Sequence, residues 1–138
     1  MNIFKRISPE WALRIGFAVM YLYSGFDLMT HPTAWYWALP FWLKNLISHI
    51  VNLDTYLRFQ GAVEIVFALV LLAWFAKPLV VKIVAVLSAL EFAVILALAF
   101  LPWSAANFLI TFRDLGLLGG LIALFLIFSD KSSERDRI

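Results

Sequence analysis

One apolar run, residues 111–128, is long enough to cross a bilayer yet carries Arg113 and Asp114 side by side in its first turns. A charged side chain at the centre of a membrane helix costs about 2.5–3.5 kcal/mol on insertion scales, so it turns towards a partner or water rather than lipid. These two charges restrict the fold to one with an interior. The helix that carries them packs against others, and those helices hold polar groups of their own.

Composition agrees. The 138 residues are 64% hydrophobic and 14% charged, with a mean hydropathy of +0.91. A soluble domain is about 45–50% apolar and about 25% charged. The apolar residues fall into four runs near the ~20 residues that a spanning helix needs. The alternation over about ten residues that marks membrane β-strands is lacking. The expected fold is all-α: one integral membrane four-helix bundle filling the chain, with an interfacial amphipathic helix between its first two spans.

Helix starts and stops divide the chain. Ser8-Pro9-Glu10 offers a capping serine, a proline at the first helical position and an acid in the first turn, which predicts a helix over residues 11–29. The basic start resembles a signal peptide, but Arg14 interrupts the apolar run, so a retained first span is expected. The segment that follows holds Trp35, Tyr36, Trp37, Phe41 and Trp42, aromatics suited to the headgroup level. Within it, residues 41–52 place apolar side chains every four positions, with Lys44, Asn45, Ser48, His49 and Asn52 between them. That pattern is amphipathic, too short to span, and suits the membrane interface. Asp54 is placed to cap a helix over residues 55–75. Lys77-Pro78 turns the chain into residues 79–101, and a short connection leads to residues 108–128. Residues 130–138 form a charged tail, expected to be flexible.

Basic residues set the orientation. Lys5, Arg6, Lys77, Lys82, Lys131, Arg135 and Arg137 share one side of a four-span topology, which predicts cytoplasmic N- and C-termini in a bacterial or archaeal plasma membrane. Asp27, Arg58, Gln60, Glu64, Glu91, Arg113 and Asp114 then converge on the outer half. Glu64 with Arg113 is the preferred pair, because the guanidinium fork matches a carboxylate, and Asp114 could face Arg58. Gly116 and Gly120 form a GxxxG spacing for close helix approach, within one chain or between copies, and Gly61 lies beside the Gln60/Glu64 face.

Several chemistries are disfavoured. The chain has no cysteine, which removes thiolate clusters and redox pairs. His31 and His49 both lie in the outer loop, so ligation of haem within the bundle is not expected, and the acids alone make a poor transition-metal site. No metal, no covalently bound cofactor and no nucleic acid is expected. The bilayer is the first partner, with a protein partner or a second copy as the next. Buried ion pairs can also serve only to fix helix register, and Arg14 can snorkel to the inner headgroups.

The spacing Arg14…Gly25, Gly61-x-x-Glu64 and Arg113-Asp114-x-x-Leu117-Leu118 resembles the DoxX family over nearly the whole chain. Where that pattern leads one to expect a basic residue soon after the helix 1 glycine, this sequence has Asp27. The resemblance implies a small four-helix membrane protein, and some members are subunits of thiosulfate:quinone oxidoreductase. The expectation is an accessory subunit in quinone-linked redox or oxidative-stress metabolism, with Glu64, Arg113 and Asp114 near a quinone head group and the catalytic centre on a partner. A membrane scaffold for another protein and a small-solute or proton pathway are the alternatives.

Overall fold

The computed structural model describes the backbone of residues 8–99 and 108–135 and the side chains of residues 8–97 and 114–129. These residues are all-helical, without strands: α1 (Pro9–Thr30), a 3-10 helix (Pro32–Ala38), α2 (Phe41–Ser48), α3 (Leu53–Leu72), α4 (Pro78–Ala99) and α5 (Phe108–Arg135). The long helices associate as two close pairs, α1 with α3 and α4 with α5. Thinner seams join α3 to α4 and α1 to α5.

Glycine sets the tightest of these contacts. A Cβ built on Gly61 would sit 2.6 Å from the Gly25 carbonyl oxygen, and one on Gly25 would sit 2.7 Å from the Gly61 carbonyl oxygen. The backbones of α1 and α3 touch there, which only residues without side chains permit. Below the crossing, Phe17, Ala18, Tyr21, Ala68, Leu71, Val81, Val84, Ala85, Leu121, Leu124 and Phe128 form one apolar core drawn from all four long helices.

Leu53–Leu72 and Pro78–Ala97 are long and apolar enough to cross a membrane, with mean hydropathies of 1.5 and 2.5. Only 28% of each window is buried inside the chain, whereas a soluble core helix would be mostly covered. Large apolar side chains such as Phe59 (69% exposed) and Trp74 (81% exposed) face outwards, a surface consistent with a membrane protein. α1 holds Glu10, Arg14 and Asp27, and the apolar stretch described in α5 is the shorter Asp114–Ser129.

Several local expectations change: Ser8 stands at the N-cap of α1 but its side chain makes no capping bond, and the short amphipathic helix ends at Ser48 rather than residue 52. Asn52, not Asp54, caps α3, its side chain accepting from the Asp54 amide at 2.8 Å, because Asp54 is held by Tyr36 instead. α3 stops at Leu72 rather than residue 75, where Arg14 draws off the carbonyls of Leu71 and Ala73 at 2.7 Å each. α5 runs through Arg135 where a flexible tail is expected from residue 130, since Ser129 to Arg135 contains no glycine or proline to end it. Residues 136–138 lie outside the described part.

Candidate functional site

The polar residues form three tiers, beginning at the end where α1 meets the 3-10 helix. There the Trp35 indole donates to Asp27 Oδ2 at 2.8 Å, and His31 Nδ1 lies 3.1 Å from Asp27 Oδ1. Tyr36 donates to Asp54 at 2.5 Å, and that carboxylate holds the Tyr36 phenol above its ordinary pKa. Arg58 donates to the Met29 carbonyl. Asp27 and Arg58 therefore belong to an outer rim that pins the aromatic segment over the ends of α1 and α3.

The middle tier is the candidate site. Glu64 lies about 16 Å along α3 from its first residue, just past the middle of a helix about 30 Å long. The Gly25–Gly61 crossing, one residue and one turn away, brings α1 close enough for the Ser24 hydroxyl to donate to Glu64 Oε2. From the same face of α3, the Gln60 amide reaches across the α3–α4 seam and donates to Glu91 Oε1. Tyr21, one turn from Ser24, lies beside Ser88 and Glu91 of α4 and near Glu64. Six side chains from three helices thus form one cluster with two carboxyl groups, three hydroxyls and an amide. Tyr21 (1% exposed), Ser88 (0%) and Glu64 (7%) are sealed in. Gln60 and Glu91 are only half-buried, so the cluster opens along the α3–α4 seam.

The third tier lies at the opposite end. Arg14, 3% exposed, donates to Glu10 at 3.2 Å and to the carbonyls that close α3, and its guanidinium lies 4.1 Å from the Trp11 ring centroid. It does not snorkel. A cation at a helix C-terminus satisfies carbonyls that the helix leaves open and opposes the macrodipole.

Of the residues singled out from sequence, Gln60, Glu64 and Glu91 come together. The Arg113 side chain, and with it the expected Glu64–Arg113 pair, lies outside the described residues. Asp114 is buried on α5 and engaged in an interaction of its own. Gly61 packs against Gly25, Leu28 and Met29 of α1. Gly120 meets Phe17, while among the described residues nothing lies within 4 Å of a Cβ built on Gly116.

Tyr21, Ser24 and Ser88 are the members that sequence reasoning missed. Their signal was helical phase: Tyr21 and Ser24 are three apart, as are Ser88 and Glu91, and such pairs share a helix face.

Carboxyl groups in an apolar interior require a proton, a cation or hydrogen bonds to compensate them. Here the hydrogen-bonding partners of both acids, Ser24 and Gln60, are neutral. Three oxygens of the cluster, Tyr21 Oη, Ser88 Oγ and Glu91 Oε2, are buried without a hydrogen bond of acceptable geometry. Among the described residues no group of three or more His, Asp or Glu is placed to hold a metal ion. A shallow trough on the outer face of α4, lined by Leu79, Lys82, Ile83, Val86 and Leu87, is apolar and lies away from the cluster. No protein-family model, curated protein or solved structure matches this chain.

Proposed function

We propose that this chain is a DoxX-like, multi-pass protein of a bacterial or archaeal plasma membrane, with α1, α3, α4 and α5 as a four-helix transmembrane bundle and α2 in the outer interface. Both termini are cytoplasmic. It serves as an accessory, non-catalytic subunit in quinone-linked redox or oxidative-stress metabolism.

The observation that supports this reading is the pair Glu64 and Glu91, brought from separate helices into one buried cluster beside the Tyr21, Ser24 and Ser88 hydroxyls. Hydroxyls, an amide and protonated carboxyls are the donors that a quinone carbonyl accepts from. The half-buried edge at Gln60 and Glu91 faces the thin seam through which a head group would approach from lipid. A quinone supplies two-electron chemistry; the electrons come from a partner, because this chain has no cysteine to hold an iron–sulfur centre. Within the cluster, Gln60 and Ser24 orient the carboxyls, and Glu64 and Glu91 hold and exchange protons. Binding of a quinone analogue to lipid-reconstituted protein tests the reading: it should saturate, and weaken in both Glu64→Gln and Glu91→Gln. Analogue binding that neither substitution alters would refute it.

An assembly role is the second reading, favoured by one observation. Among the described residues Gly116 and Gly119 on α5 meet nothing within 4 Å, which leaves a flat strip where another helix, from a partner protein or a second copy, could lie. A small-solute or proton pathway is less well supported, since below the cluster the core is apolar until Arg14.

A further inference from the structure

We propose that the cluster between α1, α3 and α4 binds a small monovalent cation of the sodium class, held by Tyr21 Oη, Ser88 Oγ and Glu91 Oε2 with Glu64 alongside. The inference rests on the reading of the cluster as a ligand-accepting site, and goes beyond it.

Two observations carry it independently. The first is the oxygens: Tyr21 Oη, Ser88 Oγ and Glu91 Oε2 are each buried and lie close enough to influence one another, yet among the described residues none of them makes a hydrogen bond of good geometry. Buried polar groups are paired in the great majority of cases, and each exception calls for an occupant. The second is charge. The other oxygens of both carboxyls are engaged by the neutral donors Ser24 and Gln60, so nothing in these contacts neutralises an ionised acid.

The donor set decides the class of ion. Hydroxyl and carboxylate oxygens are hard ligands, without the imidazole or thiolate that selects zinc, copper or iron. Calcium takes six to eight oxygens, commonly from several carboxylates, and magnesium keeps much of its water. One free carboxylate oxygen with two hydroxyls suits a single positive charge. A bound water is the competing occupant, since it too would pair three such oxygens.

The test uses the whole chain in lipid nanodiscs at one pH and constant ionic strength, with choline chloride replaced by sodium chloride. The unfolding midpoint should rise saturably with sodium and not with choline, and labelled sodium should bind near one per chain. Ser88→Ala removes one oxygen without removing a charge, and should weaken sodium roughly tenfold, about 1.4 kcal/mol. Glu91→Gln should abolish the effect; if that variant does not fold, Ser88→Ala and Tyr21→Phe carry the test. Arg58→Gln, at the rim, should leave sodium binding unchanged. A midpoint indifferent to sodium means that the oxygens hold water only, and overturns the proposal. A shift that Ser88→Ala and Tyr21→Phe both leave intact is a surface ion effect, and overturns it equally. Quinone-analogue binding without sodium binding sinks this inference alone, whereas sodium binding without analogue binding sinks only the quinone reading.

Discussion

Replacing Gly61 by alanine adds one methyl group at the point where α1 and α3 are closest. The new Cβ would lie 2.6 Å from the Gly25 carbonyl oxygen, 2.9 Å from Leu28 Cβ and 3.1 Å from Met29 Cγ. Ordinary contact begins at 3.4 Å, so the shortfall against the carbonyl is 3.4 minus 2.6, or 0.8 Å. Met29 can turn away. A helix carbonyl and a Cβ cannot, so the helices must separate. Overpacking of this kind costs about 1–3 kcal/mol, and the rigidity of the contacting atoms favours the upper half. Alanine returns about 1 kcal/mol of helix propensity, which leaves a net loss of about 1–2 kcal/mol.

Gly116→Ala is the matched control. It makes the same chemical change at a position where no described residue lies within 4 Å, so the propensity gain is what remains. Unfolding both variants in mixed micelles by denaturant titration, followed by circular dichroism, should place Gly61→Ala about 2–3 kcal/mol below Gly116→Ala. Gly61→Ala should also pull Ser24 away from Glu64. If the two variants prove equally stable, the backbone contact between α1 and α3 is absent and this account of the site's assembly fails.

Other expectations follow from the remaining contacts. Arg14→Met should destabilise the chain by about 2–3 kcal/mol, because it strips the closing carbonyls of α3 of a charged donor; a loss under about 1 kcal/mol in the same titration would mean that Arg14 reaches the headgroups after all. Asn52→Ala removes the α3 cap and should cost about 0.5–2 kcal/mol, whereas Asp54→Asn should leave the cap intact. The Tyr36 phenol is raised in the folded state, so its contribution holds below the ordinary tyrosine pKa near 10 and fades as pH rises through the folded value. A difference spectrum of wild type against Tyr36→Phe should show tyrosinate forming above that pH, and Asp54→Asn should bring it back towards the ordinary value; no movement on Asp54→Asn would refute the Tyr36–Asp54 bond.

Much of the helical order was legible because it is written in hydropathy and in strong punctuation. Pro9, Pro40 and Pro78 each stand at or beside a helix start in the structure, and the aromatic stretch around Trp35 forms part of the connection between α1 and α3. Glu64 and Glu91 were legible as candidates because an acid in an apolar run has few bland explanations. Their neighbours were not. Tyr21, Ser24 and Ser88 are ordinary residues in an apolar helix until the Gly25–Gly61 contact and the α3–α4 seam bring them face to face, and that is a property of packing, not of any one segment. Arg14 misled for a related reason. Near a helix end a long cation ordinarily reaches for headgroups, but here it is bonded to the carbonyls at the C-terminus of α3. The exchange of Asp54 for Asn52 at the α3 cap likewise depends on Tyr36, a residue 18 positions away in the chain.

The claim on which the rest depends is that Gln60 of α3 and Glu91 of α4 are bonded within one buried cluster. A double-mutant cycle of Gln60→Leu and Glu91→Leu, read as unfolding free energy in lipid, measures that directly. Each single substitution should be costly, Gln60→Leu because it leaves the Glu91 carboxyl without its donor, while the double variant removes both partners and should lose less than the sum, by about 1–3 kcal/mol. Losses that simply add would mean that the two side chains do not meet, and the cluster would not exist.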